Sequence, residues 1–332
     1  MNNITIGIVG VGNVGSTLAF NLATSGLCKT ILLKDIREDF IKAMSIDISQ
    51  AAKASNNKTK IKACLCKDEF KNCNIVVITA GIARKPNMSR EDLLLTNAKI
   101  IQNVFDEILE QNKEAIFIIV SNPLDAMVHV ALEKSKLPRN RIFGMAGALD
   151  TSRFKYYIDQ KLTNKYDNIE ALVIGSHSNK MVPLINHVKI DGKKLTDILK
   201  EKDIEEILEN TKNGGAKIVE LLKTGSAYFA PAHCCFLMCK AIITNSKEVF
   251  ATSTRLIKEY NYNNLTLGVP CILGKDGIEK IIELELSEEE TIDLKNSAKI
   301  VEESINLLQG LNNETNIWSI QCKMWRLCKY FD

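Results

Sequence analysis

The stretch "ITIGIVGVGNVGSTLAFNLATSG" (residues 4–26) decides the fold. It begins as a β-branched run that ends in glycine, and the apolar residues after it recur at helical spacing. The turn between them reads Gly10-x-Gly12-x-x-Gly15. Here Gly10 permits a tight turn, Gly12 lets the backbone approach a pyrophosphate, and Gly15 lets helix and strand pack closely. Gly10, Val11, Gly12, Asn13, Val14 and Gly15 thus form a candidate phosphate cradle, with unpaired N–H groups and the positive end of the helix dipole facing it. Glycine turns join strands to helices in many proteins, so this turn alone is weak. Asp35 strengthens it: it lies twenty residues beyond Gly15, at the end of the next strand, where an acid can bind both adenosine ribose hydroxyls. A carboxylate there also repels a 2′-phosphate. The pair predicts a dinucleotide, and NAD rather than NADP, with Arg37 the one feature that works against that preference.

Outward from this unit the alternation continues. "TILLKD" (30–35), "NIVVITAG" (74–81), "AIFIIVSNP" (115–123) and "RIFGM" (141–145) read as strands. Amphipathic helices are expected at 38–52, 91–112 and 124–135. Continuous apolar strands separated by helices imply a parallel sheet covered on both faces, the doubly wound α/β arrangement of a Rossmann-type fold.

The rest of the composition narrows the class. With 332 residues the chain has material for two modest domains, and 45% hydrophobic with 25% charged residues is ordinary for a globular protein. A net charge of +3 gives no reason to expect nucleic acid or an anionic membrane. No apolar run reaches the ~18 residues of a membrane span, and "MNNITIGIVG" goes straight into a strand without a signal-peptide pattern. A cytoplasmic protein is expected. The ten cysteines show no Cys-x-x-Cys pair. His233, Cys234, Cys235 and Cys239 come nearest to a metal site, but free cysteines packing as small hydrophobes are the better reading, and no metal is predicted.

Four stretches carry the chemistry. "GIARKPNMSREDLL" (81–94) sets Arg84 and Arg90 six apart in a loop after a strand. "VSNPLD" (120–125) ends a strand with Val120, Ser121 and Asn122 ahead of a proline. "GALDTSRF" (147–154) puts Asp150 and Arg153 on one face of a helix, and "GSHSNKMVP" (175–183) holds His177. Singly, each has a structural explanation: solvated arginines, an Asx turn, a local ion pair, a strand-end histidine. In this order and company they point to chemistry.

These motifs, with "TAGIARKPNMSREDLLLTNAKI", "GMAGALDTSRF", "GGAKIVELLKTGSAYFAPA" and "GVPCILGKDGIEKIIEL", resemble the lactate/malate dehydrogenase family from residue 4 to about 308. Within it, they are most similar to the malate dehydrogenases of lactate-dehydrogenase-like type. The resemblance implies an NAD-binding Rossmann domain (1–149), a mixed α/β substrate domain (150–311) and an atypical tail (312–332). It implies reversible oxidation of malate to oxaloacetate, with His177 exchanging the proton and Asp150 holding its other imidazole nitrogen. Arg90 would polarise the ketone, Arg153 grip the C1 carboxylate and Arg84 take the second carboxylate, while Asn122 would touch both substrate and nicotinamide. Asn97, Val120, Ser121 and Asn122 would join the cofactor contacts. The loop bearing Arg84 and Arg90 would close as a lid, and the assembly would be a homodimer or homotetramer. The alternatives are an L-lactate dehydrogenase, which usually carries glutamine in place of Arg84, and a non-catalytic NAD-binding member.

Two departures qualify the resemblance. Ser178-Asn179 stands where the family usually has Gly-Asp after the histidine, so a carboxylate is missing there. The stretch "NNETNIWSIQCKMWRLCKYFD" (312–332) lies outside the family pattern.

Overall fold

A computed structural model describes residues 3–83, 88–164 and 166–313. Arg84 and the expected tail from residue 314 onward lie outside the described residues.

The first half builds the sheet. Strand β1 (Thr5–Val9) leads through the glycine turn into helix α1 (Asn13–Ser25), then β2 (Thr30–Lys34), α2 (Glu38–Ala54) and β3 (Lys60–Ala63). It continues with β4 (Ile75–Ile78), α3 (Arg90–Leu109), β5 (Ile116–Ile119), α4 (Leu124–Ser135) and β6 (Ile142–Gly144). These strands run parallel in the order β3-β2-β1-β4-β5-β6, the doubly wound order expected. Side chains alternate between two apolar layers. Ile6, Ile8, Val77 and Ile118 pack with Leu18 of α1 and Ile41 of α2. Val9, Val76, Ile78 and Phe117 face the other way, onto Phe105 of α3 and Met127 of α4. Strands buried on both faces explain the unbroken apolar runs.

Local signals set the helix ends. Gly26 ends α1 at φ 67°, a left-handed cap that glycine adopts without a Cβ penalty. Ser89 caps α3 in a reciprocal box with Asp92. Arg90 is therefore the first residue of that helix, not part of a loop as the sequence suggested.

The second half begins with α5 (Ala146–Asp159) and short strands β7 (Ile169–Glu170), β8 (Val173–Ile174), β9 (Val182–Pro183), β10 (Lys189–Ile190) and β11 (Lys193–Lys194). Helices α6 (Glu201–Leu222) and α7 (Phe229–Thr244) follow, then β12 (Val249–Ile257), β13 (Asn263–Gly274), β14 (Gly277–Ile281) and α8 (Glu288–Asn313). The antiparallel ribbon β12-β13-β14 extends the first sheet to nine strands, β12 pairing with β6 through Ser253 and Gly144. A separate cluster around Phe154, Ile158, Ile190 and Ile207 packs α5 and the start of α6 with the short strands, whereas α7, β12, β13 and α8 join the layer of α1. Among the described residues, no helix is long and apolar enough to cross a membrane.

Candidate active site

The glycine turn has the geometry its sequence implies. Gly10 sits at φ +90°, and a Cβ there would fall 2.5 Å from the Ala80 nitrogen. A Cβ on Gly15 would fall 2.1 Å from the Gly10 oxygen. Gly12 differs: its Cβ would meet nothing within 4 Å, so the N-terminus of α1 is open. No side chain caps that helix and no acid lies in its first turn, which leaves its free amides to an anionic ligand. A cleft of about 490 Å³ runs beside it, lined by Gly10, Gly12, Asp35, Thr79, Gly81 and Ile100, among others. These residues fit a dinucleotide.

Asp35 stands at the cleft with its carboxylate already engaged. It accepts hydrogen bonds from the Val11 amide (2.8 Å) and the Arg37 amide (3.1 Å). The Arg37 guanidinium adds two more, from Nε (2.9 Å) and Nη2 (3.1 Å), and lies 4.1 Å from the Phe40 ring centre. Partial burial opposes ionisation of Asp35, but the Arg37 and Val11 bonds together hold it below the usual carboxylate range.

Asn97 is almost wholly buried and spends both ends of its amide on the backbone. Its oxygen accepts from the Ile82 amide (2.8 Å), and its nitrogen donates to the carbonyls of Ile82 (3.1 Å) and Asn122 (2.6 Å). It thus ties the chain leading to Arg84 onto the turn after β5, where the Asn122–Pro123 peptide is cis. Val120 and Ser121 are buried beneath that turn, with the Asn122 side chain exposed.

The centre of the site is a shared carboxylate. Asp150, 2% exposed, places Oδ2 2.7 Å from His177 Nδ1 and accepts from Arg153 Nη1 at Oδ1 (3.1 Å). The Asp150 carboxylate at Nδ1 fixes the proton there and leaves Nε2, which has no partner among the described residues, for substrate. Burial alone would depress the imidazolium, but the Asp150 charge and hydrogen bond outweigh it and raise His177 above its usual value. Arg153 opposes that rise, and Asp125 adds to it.

Three residues here escaped the sequence reading. Asp125, in the first turn of α4, accepts the His177 amide at Oδ2 (2.8 Å) and the Ser253 hydroxyl at Oδ1 (2.7 Å). Ser297 of α8 accepts the Ser176 amide (2.7 Å) and bonds its hydroxyl (2.9 Å), while the hydroxyls of Ser176 and Ser178 lie 2.8 Å apart. Gly215 of α6 leaves room for Arg153: a Cβ there would sit 3.3 Å from Nη2. Paired glycines inside an otherwise helical run, Gly214-Gly215, were the available signal.

Other candidates fall apart from this cluster. Arg90 is exposed at the start of α3, and neither it nor Asn122 bonds to His177, Asp150 or Arg153. Asn179 is exposed. His233 is exposed and stacks on Phe236, while Cys234, Cys235 and Cys239 are buried in α7 as free thiols. Burial pushes the Cys234 thiol up to about 11.

An open helix terminus on a doubly wound sheet, with an acid–imidazole–guanidinium cluster beyond its strands, defines a dinucleotide-dependent α/β oxidoreductase. The chain belongs to the lactate/malate dehydrogenase family: the profile of its NAD-binding domain matches residues 4–144, and that of its alpha/beta C-terminal domain matches 147–311. It is 56% identical over 310 residues to the malate dehydrogenase of Aliarcobacter butzleri, covering 93% of this chain and 99% of that one. Among solved structures it superposes on Cryptosporidium parvum malate dehydrogenase with a TM-score of 0.89 at 37% identity, covering 93% and 99% of the two chains. The lactate dehydrogenase of the same organism, complexed with lactic acid and nicotinamide adenine dinucleotide, gives the same TM-score at 31% identity and the same coverage.

Proposed function

We propose that this chain is an NAD-dependent malate dehydrogenase, interconverting (S)-malate and oxaloacetate. The observation that carries the reading is the Asp150 carboxylate shared between His177 and Arg153, in a chain whose glycine turn opens on a cleft that fits a dinucleotide.

The glycine turn and the α1 amides would hold the pyrophosphate, Asp35 the adenosine ribose, and the turn at 120–122 the nicotinamide side. A nicotinamide held there would supply the hydride for reduction of the substrate carbonyl and accept it in the reverse direction. In reduction, His177 enters as imidazolium and gives its Nε2 proton to the oxygen that becomes the 2-hydroxyl; in oxidation, the neutral ring takes that proton. The Asp150 carboxylate holds the tautomer and offsets the imidazolium charge. Arg153 spends one N–H on Asp150 and turns the rest of its fork to the C1 carboxylate. Arg90 polarises the ketone as charge develops on its oxygen. Arg84 takes the C4 carboxylate, the group that separates oxaloacetate from pyruvate. Closure of the loop between β4 and α3 excludes water around these charges.

The assembly is a homodimer or homotetramer in this reading. Apolar side chains left exposed on α1 and α2 (Phe20, Ile46) and on α6 and α7 (Leu221, Phe229) support it. The eight described cysteines, all free, suit the reducing cytoplasm. The deciding assay follows NADH consumption with oxaloacetate or pyruvate. A kcat/KM for oxaloacetate at least about a hundredfold above that for pyruvate is expected; preference for pyruvate overturns the assignment.

A further inference from the structure

The His177 loop is held from three sides. Asp150 of α5 holds the ring, Ser297 of α8 holds the Ser176 amide, and Asp125 of α4 holds the amide of His177 itself. Among the described residues, only Asp125 joins the catalytic residue's own backbone to the rest of the fold by a carboxylate. It is 6% exposed, and all three of its oxygens accept: Oδ2 from the His177 N–H, Oδ1 from the Ser253 hydroxyl of β12, and its carbonyl from the Thr266 hydroxyl of β13 (2.8 Å). A group buried this deeply and this fully bonded has one geometry.

We propose that Asp125 is a positioning residue for the reaction, seating His177 through its main chain and adding a second negative charge behind the imidazole. This rests on His177 as the proton-transfer residue. The charged groups that face the ring are Asp150 and Arg153 on α5 and Asp125 on α4. Asp150 acts at the ring nitrogen; Asp125 acts from behind the loop, where it favours the imidazolium without competing for the ring. Burial, with the nearby Asp150 charge adding to it, leaves the Asp125 carboxyl above its usual range, while the bonds from Ser253 and His177 offset part of that rise. The Ser253 hydroxyl therefore favours the charged form of Asp125.

Asp125→Asn tests this. The amide oxygen still accepts the His177 N–H and its NH2 donates to Ser253, so shape is kept while charge is lost. The pH at which kcat/KM for oxaloacetate falls should move down by about half a unit or more, since a less favoured imidazolium is lost earlier as pH rises. kcat should stay within about tenfold of wild type, and the NADH dissociation constant should not change. Ser253→Ala, which contacts neither ring nor substrate, should move the profile in the same direction by less. Asp125→Ala, where it folds, should lower kcat further than Asp125→Asn, because no acceptor remains for the His177 amide. An unmoved pH profile in both Asp125→Asn and Ser253→Ala overturns the inference. His177→Ala run alongside separates the two failures: full turnover there removes the base itself, whereas a dead His177→Ala beside an unmoved Asp125→Asn removes only the role of Asp125.

Discussion

Asp150 Oδ2 lies 2.7 Å from His177 Nδ1, and that contact sets both the tautomer and the charge preference of the ring. His177→Ala should lower kcat by at least ~10²-fold, the usual worth of a positioned acid–base group. NADH binding, followed by fluorescence, should persist, because the cofactor cleft is lined by other residues. Asp150→Asn removes the largest influence that raises His177, so loss of oxaloacetate reduction should begin at lower pH. The reverse reaction needs the neutral ring, so its rise with pH should shift down as well. A profile that moves upward contradicts the assignment.

Asp35→Ser should weaken the preference for NADH over NADPH by roughly ten- to a hundredfold, the range of one or two lost charge-dependent contacts. Two changes act together: the ribose acceptor is lost, and Arg37 is released from its carboxylate partner to meet a 2′-phosphate. Comparison of kcat/KM for the two cofactors checks this. An unchanged ratio rules out Asp35 as the ribose acid.

Arg84→Gln should cut kcat/KM for oxaloacetate by hundreds- to thousands-fold while raising it for pyruvate, about 1.4 kcal/mol per tenfold. The NADH dissociation constant should change little. Equal effects on both substrates would mean that Arg84 does not read the second carboxylate.

Gly215→Ala separates stability from activity. Replacing glycine inside α6 should add up to about 1 kcal/mol of helix stability, read as a higher Tm. The new Cβ would stand 3.3–3.5 Å from the Arg153 guanidinium, tight enough to displace it. KM for oxaloacetate should rise several-fold. A higher Tm with unchanged KM would show that Arg153 has room to spare.

Asn179→Asp restores the carboxylate usual in the family, yet the side chain is exposed. Water and salt screen a charge there, so the His177 profile should move upward by less than about half a unit. A larger shift would mean that closure buries this position.

The parallel half of the sheet was legible because its signals are local. Apolar runs, a glycine turn and an acid at the next strand end lie within a few dozen residues. Strand β3 was missed because "KIKA" is an edge strand whose two exposed side chains are both lysines. Asp150 and Arg153 could be placed on one helical face from their spacing, while their meeting with His177 rested on resemblance. Asp125 and Ser297 could not be found that way: they reach the His177 loop across 52 and 121 residues of chain, and only the folded molecule brings them there. Arg90 read as a loop residue because the capping box at Ser89 and Asp92 sits inside a polar stretch that looks like loop.

Gly144 and Ser253 pair where the two halves of the sheet join. A Cβ on Gly144 would fall 2.3 Å from Leu124 Cδ2, 2.8 Å from Val128 Cγ2 and 3.1 Å from Ser253 Cβ. The same Ser253 donates to Asp125, which holds the His177 amide. The seam between the halves therefore runs through the seat of the histidine. Exchanging one half for that of a distant relative by recombination would have to preserve this glycine, this serine and the closeness of α4 to β12 all at once. The two halves form a matched pair along this seam.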